Sequence, residues 1–291
     1  MAQDLDSNSP KVLYKYLPAE RALQALPEKG GDGALRATQP GAMNDPLECA
    51  TQYKAEYSSE IDEASEIVSV LNKMVPTNPY RIEDVQSMRE QLGTQAWNEL
   101  FREQLSQRLG IVSFSSNYLH PLLWSHYGDS GTGVVIGYKL DELEKIASGH
   151  QQLHSVIYFD NPPPIKDLEI FKTERNLHRI LLTKSKHWEY EQEWRLTLEL
   201  TNTVGIGEDD RTGHSINLCK IPNEAVSEVY FTERISKDHL EQLKLRLRDP
   251  INRFGAISPQ KLILKPDNYG YEKQLLRMLA AALSGQNFTK K

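Results

Sequence analysis

From Trp194 to Leu200 the chain alternates without a break. Trp194, Leu196, Leu198 and Leu200 are apolar, and Arg195, Thr197 and Glu199 between them are polar or charged. A period of two puts the two sets on opposite faces of a strand, so the chain must build a sheet with one face against a core. Shorter runs rich in apolar residues predict further strands at 12–17, 35–38, 111–114, 134–138, 156–159, 226–231 and 261–265. Helical spacing separates them. A short helix is expected at 19–26, and an amphipathic one at 59–75 with Ile61, Ala64, Ile67, Val68 and Leu71 on one face. Another runs from a Thr94 cap to Leu109, with Gly110 placed to end it. Further helices are expected at about 166–185, 236–248 and 270–283. Strands early, middle and late with uneven helices between them predict an α+β fold. Its sheet is mixed and largely antiparallel, with flanking helices and an inserted helical block at about 59–109. The whole chain, 1–291, is expected to be a single α+β domain, with 1–10 and 286–291 frayed.

Composition narrows the function classes. The 291 residues carry 40 acidic and 34 basic side chains, a formal charge of −6, and contain no long basic run, which disfavours general nucleic-acid binding. No apolar stretch approaches the ~20 residues of a membrane span. The polar start resembles neither a signal nor a transit peptide. Cys49 and Cys219 stand far apart and form no metal or disulfide framework. These features point to a cytoplasmic protein without a membrane partner. A small anionic or nucleotide ligand remains compatible with the acidic total, and oligomeric state is not readable.

Chemistry-bearing residues concentrate in three places. Asn44-Asp45-Pro46-Leu47-Glu48 is a turn carrying two carboxylates. Residues 113–127 put Ser113 and Ser115 before Trp124, His126 and Tyr127. Residues 184–195 interleave Lys184, Lys186 and His187 with Trp188, Glu191, Glu193, Trp194 and Arg195. Aromatics beside hydrogen-bonding groups at strand ends suit a pocket that stacks a ring and binds a sugar. The plainer reading makes Glu193 and Arg195 an ion pair at a sheet edge. Gly131 and Gly133 lie outside the dinucleotide and phosphate-loop fingerprints. They are either a turn into the next strand or a loop whose N–H groups approach a phosphate or ribose. Gly128-Asp129-Ser130-Gly131 matches the nucleophile tetrapeptide of chymotrypsin-like proteases without the rest of that machinery.

These blocks resemble the domain-of-unknown-function family 2971 of bacteria and phages. The resemblance is carried by Leu13-Tyr14-Lys15-Tyr16, Asn44-Asp45-Pro46-Leu47-Glu48, Phe114-Ser115, Leu123-Trp124-Ser125-His126-Tyr127, the glycines from Gly131 to Gly137, Val156-Ile157-Tyr158, Lys184, Lys186, Trp188 through Arg195, and Ile221 through Val226. Family members occur near phage-defence systems, which the resemblance implies as a setting. A second resemblance is to the ADP-ribosyltransferase layout. It rests on Tyr14 and Lys15 on a first strand, Ser113-Phe114-Ser115 on a middle strand, and Glu191-Gln192-Glu193 before a later one.

That resemblance implies NAD as the substrate. Glu193 would stabilise an oxocarbenium-like ribose, Glu191 would orient or deprotonate an acceptor, and Ser115 would support the glutamate or the ribose. Tyr127 or Trp124 would stack nicotinamide, and Lys15 or Arg195 would meet the pyrophosphate. Tyr14, His126, Gly131, Gly133 and Trp188 complete the expected ligand site, with Asn44, Asp45 and Glu48 as further pocket residues. Two other readings stand beside it. One is a non-catalytic sensor of a nucleotide or phage component. The other is a metal-dependent nuclease or hydrolase, with Asp45, Glu48, Glu191 and Glu193 sharing a metal.

Overall fold

The computed structural model describes residues 9–27, 31–49, 65, 68–69, 72, 79–87, 99, 102–147, 152–162, 181–252, 254 and 257–274. Their largest feature is an eight-stranded sheet in the order β13-β12-β11-β4-β1-β3-β8-β5. Its strands are β1 (Val12–Leu17), β3 (Leu109–Ser115), β4 (Val134–Lys139), β5 (Gln152–Ser155), β8 (Glu193–Glu199), β11 (Val226–Thr232), β12 (Gln260–Leu264) and β13 (Tyr271–Lys273). Only β11 and β12 run parallel; every other neighbouring pair is antiparallel. A three-stranded antiparallel sheet contains β2 (Gly33–Ala37), β10 (Ser215–Ile221) and β9 (Val204–Glu208). A parallel pair joins β6 (Ile157–Phe159) to β7 (Thr183–Ser185). The fold is α+β, with a mixed, mostly antiparallel sheet.

One face of the large sheet holds the main apolar core. Leu13, Val112, Phe114, Ile136, Leu196 and Leu198 pack there against α1 (Ala19–Ala25), α3 (Leu140–Ile146) and α4 (Lys237–Arg248). Pro18 precedes α1 and Glu20 stands in its first turn, where a carboxylate complements the exposed N–H groups. Ser236 caps α4 by accepting the N–H of His239. The other face is aromatic. Tyr14, Tyr16, Val135 and Tyr230 meet Leu123 and Trp124 of α2 (Pro121–His126). Strand β8 is buried on both sides: Arg195 and Thr197 are as hidden as Leu196 and Leu198. Its polar set faces a charged interior rather than solvent.

The sheet splits between β1 and β3, and this positions the site. β3 pairs with β8 along its whole length, from Leu109 opposite Glu199 to Ser115 opposite Glu193. Its other edge meets β1 only at Tyr14 and Ser115, and meets Thr38, just after β2, only through Ile111. Between those two points the backbone of β3 is not zipped to a strand. The Lys15 ammonium reaches into the gap and donates to the Ser113 carbonyl at 2.7 Å. It thus satisfies an acceptor that a ladder would otherwise occupy.

Several elements differ from the sequence expectation. Gly110 does not end a helix. The described helical turn at 102–106 stops earlier, and Gly110 lies within β3. A Cβ there would come within 2.9 Å of Leu200 and 3.0 Å of Ala37, so glycine serves close strand packing. The helix expected to reach 185 is replaced at its end by β7, and that expected from 270 begins instead as β13. Strands β5, β9 and β10 and helices α2 and α3 were not foreseen. Most of the 59–109 block, residues 163–180 and both chain ends lie outside the described residues; of the helix expected at 59–75 only 65, 68–69 and 72 are described, and these are helical. Among the described residues no helix is long and apolar enough to cross a membrane, and Cys49 and Cys219 are free and buried.

Candidate active site

A cavity of about 220 Å³ opens at the split. β1 supplies Tyr14, Lys15 and Tyr16, and β3 supplies Ser113, Phe114 and Ser115. The chain after β2 contributes Thr38 and Ala42 to Asp45, with Glu48. Tyr127, Lys184, Trp188, Glu191 and Glu193 close it. Most of the predicted residues therefore converge: Tyr14, Lys15, Asn44, Asp45, Glu48, Ser115, Tyr127, Trp188, Glu191 and Glu193 all line one space.

The two glutamates are set by an unusual backbone. Lys186–Glu191 is a 3-10 helix, and Gln192, with φ of 45°, turns the chain through the left-handed region before β8 begins at Glu193. A non-glycine residue there is strained, and the local hydrogen bonds hold it. Gln192 N–H donates to the Glu189 carbonyl, and Ser116 N–H donates to the Gln192 carbonyl. The Ser115 hydroxyl bonds the Glu191 carbonyl at 2.6 Å. Ser115 thus anchors the backbone of Glu191, not its carboxylate. Tyr158 OH accepts the Glu193 N–H at 2.8 Å.

A buried charge network follows. The Lys184 ammonium donates to Glu191 Oε2 at 2.6 Å and to Glu193 Oε2 at 2.9 Å, and lies 5.1 Å from the Trp188 ring centre. Arg195 reaches Glu193 Oε1 at 2.9 Å, Glu193 Oε2 at 3.0 Å, Glu48 Oε1 at 2.7 Å and the Leu181 carbonyl. Tyr127 OH donates to Glu191 Oε1 at 2.7 Å. Burial opposes ionisation of Glu193, but Arg195 and Lys184 overcome it and hold the carboxyl down at about 2. Burial raises Glu48 more than Arg195 and Lys184 lower it. Burial and Glu191 keep the Tyr127 phenol protonated. Burial depresses Lys15 to about 8, against the pull of Glu193 and Glu191.

Five predicted residues lie elsewhere. Trp124 is fully buried behind the cavity, its Nε1 bonded to the Tyr118 carbonyl and its ring edge-on to Tyr16. It has no face to offer a ligand. Arg195 is fully buried with its donors engaged by protein, so it is sealed from a pyrophosphate and is no sheet-edge ion pair. His126 is exposed, with its ring 6.2 Å from Tyr127 and 6.5 Å from Trp188, outside the lining. Gly131 and Gly133 form a closed turn into β4. Their N–H groups both bond the Gly128 carbonyl, and the turn is left-handed at Asp129, Ser130 and Gly131. A Cβ on Gly133 would lie 2.3 Å from the Leu17 carbonyl oxygen. This is the turn reading, since those N–H groups are not directed at a ligand.

Sequence reasoning placed Lys184 in a candidate pocket segment without giving it a role, and missed Tyr158 as a site residue. Both stand within stretches that carry the family resemblance, but only the fold brings them against Glu191 and Glu193. As for a metal, the glutamates are already bridged by Lys184 and Arg195. Among the described residues no three His, Cys, Asp or Glu side chains are grouped to hold an ion.

The molecule is thus an α+β protein with a charged, aromatic-walled cavity where its main sheet splits. Residues 123–196 match the family model described as protein of unknown function (DUF2971), and over that stretch the resemblance to this family holds. The match contains most of α2 and six of the eighteen residues that line the cavity, Leu123, Tyr127, Lys184, Trp188, Glu191 and Glu193. No curated protein and no solved structure matches the chain.

Proposed function

We propose that the chain is an ADP-ribosyltransferase-type enzyme whose cavity takes the nicotinamide–ribose end of NAD. The observation that carries this reading is the convergence of Lys15, Ser115, Glu191 and Glu193 from adjoining strands and the turn before β8 onto one cavity. The volume suits a ring and part of a sugar, with the remaining dinucleotide outside. Tyr127 and Trp188 offer aromatic surface, and Lys15 offers a cation to an anionic ligand.

In this reading the C1′–N bond breaks and its electron pair leaves with nicotinamide. The positive charge that develops on the ribose is met by a carboxylate. In this reading the role passes from Glu193, where the sequence resemblance put it, to Glu191, and the hydrogen bonding supports the change. Glu193 already accepts three bonds from Lys184 and Arg195, whereas Glu191 accepts one on each oxygen. A carboxylate has about four acceptor positions, so Glu191 retains more capacity for a ribose hydroxyl or for the proton of an attacking acceptor. Glu193 acts as a positioning residue that fixes Lys184. An NAD-consuming enzyme would suit the phage-defence or toxin setting that the family resemblance implies.

Titrating NAD into the purified protein, followed by calorimetry and thermal melting, tests the reading. Saturable binding that Lys15→Met weakens at least tenfold supports it. Binding without any release of nicotinamide would favour the nucleotide-sensor reading, and absence of binding would remove NAD altogether.

A further inference from the structure

We infer that the Thr38 and Ser113 hydroxyls read the vicinal diol of the ribose that carries nicotinamide; the inference rests on the NAD reading above. Six residues bearing hydroxyl groups line the cavity. Four are committed to the protein: Tyr14 donates to Glu228, Tyr16 to the Asn117 carbonyl, Ser115 to the Glu191 carbonyl and Tyr127 to the Glu191 carboxylate. The hydroxyls of Thr38 and Ser113 have no hydrogen-bonding partner among the described residues. Both residues are part-exposed. The buried unpaired polar atoms of the described residues include neither oxygen, so both stay within reach of solvent. A hydroxyl is neutral, and what it can bind depends on no charge state.

The backbone sets the pair side by side. Thr38 N–H donates to the Ile111 carbonyl and Ile111 N–H to the Thr38 carbonyl, each at 2.8 Å, so Thr38 stands directly across from Ile111. Ser113 follows Ile111 by two residues on β3 and shares its face. Thr38 and Ser113 are thus diagonal neighbours on one face, a relation that places residues roughly 7–8 Å apart. Ser115 continues the face, opposite Glu193, and its hydroxyl holds the Glu191 backbone. The open hydroxyls therefore lie on the wall that leads to the glutamates. A hydroxyl bonds at ~2.8 Å, so two at this spacing can bracket a group with two adjacent oxygens. Each both donates and accepts. A sugar diol does the same, whereas a phosphate would only accept and would stand near the carboxylates.

The experiment measures binding of NAD, and of its analogue whose nicotinamide ribose lacks the 2′- and 3′-hydroxyls, to wild-type protein and to the double variant Thr38→Val with Ser113→Ala. Valine keeps the shape of threonine and replaces the hydroxyl by a methyl group. The double variant is expected to bind NAD roughly tenfold or more weakly, with its affinity for the analogue unchanged. Thr38→Ser, which keeps a hydroxyl, is expected to retain the wild-type preference for NAD. Wild-type protein that binds both ligands equally, or a double variant with undiminished preference, overturns the role of the pair and leaves the NAD reading standing. Equal weakening of both ligands also overturns it, because it marks a loss of cavity shape. Wild-type protein that binds neither removes both readings. If the double variant does not melt cooperatively, Thr38→Val and Ser113→Ala are measured singly, each expected to lower the preference by roughly threefold or more.

Discussion

Glu191 and Glu193 stand two residues apart and share one lysine, yet their surroundings give them different duties. Glu193 is held at about 2 by Arg195 and Lys184 against the effect of burial. Its replacement by Gln leaves two buried cations short of a counter-charge, a change that typically destabilises by about 3–5 kcal/mol. Urea denaturation of Glu193→Gln should show that loss. The same pKa makes the protein acid-sensitive. The folded value lies below the ~4.3 of a free glutamate, so the stabilisation is full above that pH and disappears as pH falls through about 2. Denaturation midpoints measured from pH 6 downward should fall across that window, and less steeply in Glu193→Gln. Lys15 titrates the other way. Burial lowers it to about 8, so affinity for an anionic ligand should fall as pH rises through about 8. Binding titrations between pH 6.5 and 9.5 read this directly, and Lys15→Met should abolish the pH dependence. Lys15, Glu191 and Glu193 were legible as residue types at strand positions. Lys184 was visible in the pocket segment but had no role there, because a lysine seven residues before a glutamate has no local reason to meet it.

At the scale of elements, the strands were more legible than the helices. β1, β4, β8, β11 and β12 follow from alternating or continuous apolar residues. β9 was missed because its Gly205 and Gly207 carry no pattern and its side chains are exposed on the edge of the small sheet. The misread of Gly110 is instructive. A glycine after an apolar helical repeat normally marks a helix end, but here strand β3 needs it for contact with Ala37 and Leu200. Gly110→Val should therefore destabilise by about 1–3 kcal/mol, measured by thermal or chemical denaturation. The alternation in β8 was read correctly and interpreted too simply. Its polar face, with Arg195 and Thr197, is buried against the charged network. Period two identifies the strand, whereas what covers each face depends on residues outside it, such as the distant Glu48.

For the molecule as a whole, the acidic balance of −6 conceals a local balance of charge. Lys15, Lys184 and Arg195 offset most of the charge of Asp45, Glu48, Glu191 and Glu193 around one cavity. This arrangement arises because the sheet splits between β1 and β3, leaving an opening into which three segments distant in sequence project. No single segment encodes that opening. The central claim is that the opening cleaves the nicotinamide–ribose bond with Glu191 as its carboxylate. Nicotinamide release from NAD, measured side by side for wild-type protein and Glu191→Gln at equal occupancy, tests it most directly. The account predicts release by the wild type and a rate lower by roughly a hundredfold or more in the variant, with NAD still bound. No release by NAD-saturated wild-type protein, or an undiminished rate in Glu191→Gln, would contradict it.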